Sequence, residues 1–240
     1  MKSKWPKKLA ILTDKQKWIK DDFMKYWHEV LPKRYGLIEK FNHEFSVKRR
    51  TLGGRVLEIG AGLGEHIAYE DLSNTEYYAL ELRAEMALKI SERFPTVRTI
   101  VGDCQERLNF SDKYFNTVIA IHVLEHLPNL PKALSEVRRV IKDDGQFFVV
   151  IPCEGGLAYS LARKISAQRI FEKRYQMKYD WCIGSEHINV PKEIIEELEK
   201  FFTIKDKSYF PFKLPSINAN FVIGLALTPL LNKTPNLNTD

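Results

Sequence analysis

Apolar and polar positions change their period several times along this 240-residue chain, and each change marks an element. Residues 14 to about 50 show helical spacing: Trp18, Phe23, Trp27 and Leu31, then Leu37, Phe41 and Phe45 after a break at Pro32 and Gly36. No strand is expected before Val56. From there, short apolar runs alternate with amphipathic stretches. Strands are expected from Val56 onward and over 76–82, 97–101, 115–121 and 146–151, the last stopped by Pro152. Helices are expected after the glycines to about Tyr69, over 84–94 up to Pro95, and over about 130–141. Strand and helix alternating at this rhythm predict a parallel sheet with helices on both faces.

The rhythm breaks after Pro152. Residues 153–185 show no strand pattern, and 157–179 reads as an amphipathic helix with Leu157, Leu161, Ile165 and Phe171 on one side. Pro191 stands in the first turn of a further helix over 191–201. Two β-rich segments, 202–210 and 219–228, close the chain around a loop marked by Pro211 and Pro215.

One segment carries most of the chemistry: Val56-Leu57-Glu58-Ile59-Gly60-Ala61-Gly62-Leu63-Gly64-Glu65-His66. An apolar strand around one acid runs straight into a glycine-rich turn, where the lack of a Cβ lets a ligand approach the backbone. A dinucleotide loop needs Gly-x-Gly-x-x-Gly, whose third glycine would fall at Glu65. Here it comes one residue earlier, at Gly64. The spacing Gly-x-Gly-x-Gly after such a strand resembles the first motif of the class I S-adenosylmethionine-dependent methyltransferases, of the methyltransferase type 11-like kind. The resemblance covers about 54–152 and, less specifically, continues to 228. It implies an α/β, Rossmann-like sheet of seven strands, parallel with a C-terminal antiparallel hairpin, and S-adenosylmethionine as cofactor.

Carried over position by position, the resemblance assigns the cofactor to Glu58, Gly60, Ala61, Gly62 and Gly64, with Glu81 and Leu82 after strand two and Asp103 and Cys104 after strand three. Ile121 and His122 follow at the end of strand four. Glu81 would accept the ribose hydroxyls, Asp103 the adenine amino group, and Glu58 would organise the glycine loop and the methionine amino group. The run Phe115-Asn116-Thr117-Val118-Ile119-Ala120-Ile121-His122-Val123-Leu124-Glu125-His126 resembles the family's fourth signature, with Asn116 in place of its usual Asp. A sulfonium methyl is already activated, so a base is needed only for an acceptor that must lose a proton near neutral pH. His122 and His187 are the candidates. Glu154, Tyr159, Arg163 and His187 are expected to meet the acceptor. No metal is expected: His122, Glu125 and His126 are not H-E-x-x-H, and no third ligand is evident.

Composition narrows the partners. The formal charge of +6 is uneven, with +6 on residues 1–20, +5 on 157–179 and −5 on the rest. Two basic blocks on an acidic body suit an anionic small-molecule, sugar or glycolipid-type acceptor, or peripheral contact with an anionic membrane, as well as simple solvation. Nucleic acid is disfavoured because no RNA-binding module is recognisable. Three separated cysteines indicate neither a disulfide framework nor a zinc knuckle and suit a cytoplasmic protein. The expected organisation is a helical cap over 1–50, a methyltransferase domain over 51–232 with a helical lid at about 153–187, and a tail over 233–240. A methyltransferase carrying out O-methylation by in-line displacement is the favoured reading. The alternatives are a nicotinamide-dependent oxidoreductase and a methyltransferase-fold binding subunit without catalysis. Oligomeric state is not legible.

Overall fold

A computed structural model describes residues 4–51 and 53–231, and within them the side chains of 27–34 are excluded. The side chains of Trp27 and Leu31 and the expected tail over 233–240 therefore lie outside the described residues.

Seven strands form one sheet in the order β3-β2-β1-β4-β5-β7-β6. They are β1 (Gly54–Ile59), β2 (Thr75–Glu81), β3 (Arg98–Val101), β4 (Phe115–Ile121), β5 (Ile141–Pro152), β6 (Phe202–Phe210) and β7 (Val222–Pro229). The first five run parallel, while β7 lies antiparallel between β5 and β6. The apolar runs of β1 and β4 are buried on both faces, as a central parallel strand requires. The chain builds outward from β1 to β3, then returns to lay β4 on the other side of β1. That reversal leaves a crevice at the carboxyl ends of β1 and β4.

Helices cover both faces. On one face α4 (Leu130–Val140) and α8 (Pro191–Phe201) bury Leu130, Leu134, Val137, Ile194 and Leu198 in the main core. Asn129 caps α4 by accepting the Lys132 N–H. On the other face, α3 (Ala84–Arg93) lays Ile90 on a core with Tyr77 and Ile119. There α2 (Gly36–Val47) presses Phe45 on Phe148 with ring centroids 6.2 Å apart. Asn116 takes up the hydrogen bond open at its position, accepting the Arg55 N–H at 3.1 Å.

Three expectations need correction. No α-helix follows the glycine loop: residues 60–70 make turns and one 3-10 turn, Ile67–Tyr69. The reason is polar burial. His66 and Glu70 turn inward and pair at 3.0 Å, Ser46 meets His66 at 3.3 Å, and Arg50 closes on Glu70. Second, β5 begins at Ile141, with residues 142–145 bulging from its pairing with β4. Third, 157–179 is no continuous helix. It runs as α5 (Leu157–Arg163), a π-turn (Lys164–Gln168) and α6 (Arg169–Tyr175), ended by Gln176 at φ 53°; α7 (Asp180–Glu186) follows. Its expected apolar side divides: Phe171 is buried, but Leu157, Leu161 and Ile165 are 73%, 63% and 70% exposed.

The N-terminal helix α1 (Asp14–Arg34) docks on this insertion and not on the sheet. Phe23 meets Phe171 edge-on at 5.1 Å and Tyr179 at 5.9 Å, while Asp22 takes Arg174 at 2.9 Å and the Tyr175 hydroxyl at 2.6 Å. Both basic blocks are partly neutralised internally: Lys4 and Lys7 reach Glu193, each at 2.6 Å, and Lys20 pairs with Glu186. No helix among the described residues is long and apolar enough to cross a membrane. Replacing the fully buried Phe171 by Ala is expected to cost about 3–5 kcal/mol in chemical denaturation and to raise amide exchange across α1. Unchanged exchange there would mean that α1 is held by something else.

Candidate active site

The carboxyl ends of β1, β2, β3 and β4 bring the expected residues together. After β1, Gly60, Gly62 and Gly64 take φ values of 69°, 58° and 80°, a region that L side chains rarely adopt. Space is equally decisive. A Cβ on Gly60 would come within 2.4 Å of a Val123 methyl, and one on Gly64 within 2.8 Å of the Phe94 ring.

Acids surround this loop. Glu81, buried at the end of β2, accepts the Gly62 N–H at 2.9 Å through one oxygen and the Arg83 N–H at 3.0 Å through the other. It thereby holds the loop as well as facing its cleft. Glu65 accepts the Leu63 N–H at 2.9 Å. Glu58 is buried beneath, and the Tyr77 hydroxyl donates to it at 3.0 Å. Burial raises the Glu58 carboxyl to about 8, with the negative fields of Glu65, Glu70 and Glu81 adding to the effect and the Tyr77 bond opposing it.

Asp103 follows β3 and makes an Asx turn, accepting the Gln105 N–H at 2.8 Å; the Gln105 amide lies on both carboxylate oxygens at 3.1 Å. Cys104 is buried, which pushes its thiol up to about 12, so its backbone and not its sulfur is the accessible feature. Ala61 is buried, Leu82 is exposed and Ile121 is half-buried at the tip of β4.

The loop after β4 forms the opposite wall. His122 sits at φ 53°, where its backbone N–H still donates to Val150 at 2.9 Å, and its Nδ1 lies 3.2 Å from Glu125 Oε1. Glu125 is only 1% exposed. Its burial raises the carboxyl, but the His122 hydrogen bond and the fields of His126, His122 and His187 outweigh that and hold it at about 2. Across from it, His187 donates from Nδ1 to Glu154 at 2.9 Å, and Arg163 clamps the other Glu154 oxygen. Tyr159 packs on the main core with the Arg163 guanidinium 5.9 Å above its ring. All four expected acceptor residues thus stand together. Sequence reasoning considered Glu125 and His126 only to set them aside as ligands, and did not single out Glu186 or the Arg50–Glu70–His66 cluster. The E-H pair after β4 was visible, but its partners come from distant segments.

Residues 57–149 match the model of a family described as a methyltransferase domain. The overall fold resembles a TehB-like SAM-dependent methyltransferase of Corynebacterium glutamicum, with a TM-score of 0.61 over 88% of this chain and 98% of that one, at 14% identity. Over residues 57–149 the chain is similar to a methyltransferase domain. S-adenosylmethionine is the cofactor that such a domain indicates. In sequence, the chain is 31% identical over 142 residues to an uncharacterized protein, MJ0638, of Methanocaldococcus jannaschii, covering 56% of this chain and 57% of that one. It is 29% identical over 140 residues to a probable phthiotriol/phenolphthiotriol dimycocerosates methyltransferase of Mycobacterium ulcerans, covering 53% and 54%. The chain therefore spans little more than half the length of these relatives.

The raised Glu58 carboxyl makes a pH prediction. The folded protein holds this proton above the ordinary value of 4.5 and up to about 8. The unfolded chain releases it over the same range, so the contribution of this group to stability falls as pH rises from about 4.5 to about 8. Glu58→Gln is expected to remove that slope, up to about 1.4 kcal/mol per pH unit, in urea denaturation of the ligand-free protein. An unaltered slope would show that Glu58 is ionised.

Proposed function

We propose that this chain is an S-adenosylmethionine-dependent methyltransferase acting on a small-molecule, sugar or glycolipid-type hydroxyl by in-line displacement. One observation carries the reading: the glycine loop is lined with acidic side chains, Glu65 and Glu81 beside it and, beneath it, Glu58, which their fields help to keep protonated up to about 8. A pyrophosphate would add negative charge to that surface. An amino-acid tail with an ammonium group, attached to a sulfonium, brings positive charge to it. The electrostatics therefore favour this cofactor over a nicotinamide dinucleotide, in agreement with the glycine spacing.

In this reading, the backbone of Gly60, Ala61, Gly62 and Gly64 receives the amino-acid portion of the ligand over Glu58. Glu81 keeps lone pairs for ribose hydroxyls while its bond to Gly62 fixes the loop. Asp103, the backbone of Cys104, Leu82 and Ile121 border the adenine. When bound, S-adenosylmethionine supplies a methyl group already activated by its sulfonium. What remains for the protein is to align an acceptor oxygen and exclude water. His122, at the tip of β4 and backed by the Glu125 carboxylate, is the favoured base for a hydroxyl proton. His187 and Glu154, with Arg163 and Tyr159, border the acceptor.

O-methylation draws support from the relative named for phthiotriol and phenolphthiotriol dimycocerosates, since a triol carries hydroxyls. The exposed side of α5, with Leu157, Leu161 and Ile165 beside the exposed Lys164 and Arg169, suits a lipid-linked acceptor or an anionic membrane surface.

Calorimetry tests the cofactor: S-adenosylmethionine is expected to bind and NADH not to. Gly60→Val is expected to abolish binding, and Glu81→Ala to weaken it about 10–100-fold, a loss of about 1.4–2.8 kcal/mol. NADH binding in place of S-adenosylmethionine would reverse the assignment. On a panel of sugar, phenolic and glycolipid hydroxyls, His122→Gln is expected to lower kcat about 10²–10⁴-fold. Cofactor binding without turnover on any of them would favour a non-catalytic subunit.

A further inference from the structure

Two hydrogen-bonded histidines and one incompletely satisfied carboxylate meet on the wall opposite the glycine loop. Glu125, in the 3-10 turn Leu124–His126, gives one oxygen to His122, but its Oε2 is buried without any hydrogen-bond partner. A buried carboxyl oxygen left in that condition costs free energy unless a partner meets it. His126 and His187 stand beside it with ring centroids 5.2 Å apart. One donor atom from each of Glu125, His126 and His187 lies within 4.8 Å of the other two.

The hydrogen bonds choose the tautomers. His126 Nδ1 lies 2.8 Å from the Glu186 carbonyl oxygen, which can only accept, so that nitrogen carries the proton. His187 Nδ1 likewise donates to Glu154 at 2.9 Å. Both rings therefore leave Nε2 as a lone-pair donor, and the Arg163-clamped Glu154 backs His187 in the carboxylate–histidine arrangement typical of metal ligands.

The segment bearing His187 is stitched to the turn bearing Glu125. The backbone N–H groups of Ile188 and Asn189 donate to the Glu125 carbonyl at 2.9 and 3.0 Å. The fully buried Asn189 amide donates to Leu124 and Leu127, both at 2.8 Å. The ligand-bearing segments are thus preorganised on rigid backbone, although they lie far apart in sequence.

We propose that Glu125, His126 and His187 form a binding site for one divalent transition-metal ion of the zinc, cobalt, iron or manganese kind. Two imidazoles and a carboxylate are the donor set such ions take, with bonds of about 2.0–2.2 Å. Donor atoms around such an ion stand about 3.3 Å apart in a tetrahedron, so side-chain shifts of about an ångström close the site. Three protein ligands leave a position open. On the methyl-transfer reading, that position faces the acceptor, which would then present an oxygen anion to the ion; ion binding itself does not depend on that reading.

The test uses the full-length, untagged chain, stripped with a chelator and titrated with Zn²⁺ by calorimetry and with Co²⁺ by visible absorption. One equivalent is expected to bind, with a Co²⁺ spectrum typical of nitrogen and oxygen ligands. His187→Asn and Glu125→Gln are each expected to weaken Zn²⁺ binding at least about 100-fold, and Glu154→Gln about 10–100-fold. His43→Asn, remote from the site, is expected to leave it unchanged. Absence of stoichiometric binding by the parent chain would overturn the proposal, as would affinity that survives His187→Asn. Should Glu125→Gln fail to fold, the half-buried His187 decides the matter. Calorimetry with S-adenosylmethionine on the same stripped protein separates this proposal from the cofactor assignment, because either can fail while the other stands.

Discussion

The approach of Gly60 to Val123 organises this molecule. Even a single methyl group at residue 60 would collide with the Val123 side chain. The loop leaving β1 and the loop leaving β4 therefore press together where the strand order reverses. In-register pairing of Val56 through Ile59 with Thr117 through Ala120 delivers both loops to the same level. Everything with chemical potential hangs on that junction: the glycine turn and Glu81 to one side, His122 and Glu125 to the other. A bulkier residue at 60 would have to push apart two fully buried strands, which close-packed interiors resist.

The two walls differ in charge. Around the glycines, acids gather although Arg83 pairs with Glu81 at 3.1 Å, and burial with the fields of neighbouring acids keeps Glu58 protonated up to about 8. Across the cleft, a ring of imidazoles surrounds Glu125 and holds it ionised although it is equally buried. The same residue type thus takes opposite protonation states on facing walls, and neighbours decide which. Glu70 makes the point a third time: burial raises it, but hydrogen bonds and charges from His66 and Arg50 prevail and leave it low. That pairing also fastens α2 to the far side of the glycine turn, so the N-terminal helices are part of the site's framework.

What the sequence made legible was whatever depends on local order. The strand ends carrying Gly60, Glu81, Asp103 and His122 came from periodicity and spacing, as did the two closing β segments, while their pairing as a terminal hairpin came from the family resemblance. What stayed hidden depends on contacts between distant residues. A helix after Gly64 was a fair expectation from pattern, but His66 and Glu70 are drawn in by Arg50 and Ser46, which no local window contains. The stripe Leu157, Leu161 and Ile165 has helical spacing whether it faces a core or solvent, and spacing alone cannot tell which. Glu125 and His126 were weighed with His122 and set aside for want of a third ligand, because His187 stands beyond a whole helical insertion. Among the candidate site residues, those named by the loop-after-strand rule stand at the strand ends, and those of the returning insertion were read only as acceptor candidates.

On the proposed function, the packing of the insertion would let acceptor and cofactor halves vary separately. Its hydrophobic contacts are with α1, through Phe23, Phe171 and Tyr179, and with the main core through Tyr159 on α5, while its return segment is tied by Asn189 to the turn after β4. α1 and α5–α7 therefore form a subassembly with an aromatic cluster of its own, joined to the sheet at a seam formed by Tyr159 and that stitched return. Side chains on that subassembly can change without disturbing the strands that hold the glycine loop. Glu154, Arg163 and His187 sit at the seam itself, the one place where a change in the lid is felt directly by Glu125. Selection for a new acceptor would be expected to act on the lid's outward face first. The seam would be the last to move, because three of its backbone and amide hydrogen bonds are buried and have no water to replace them.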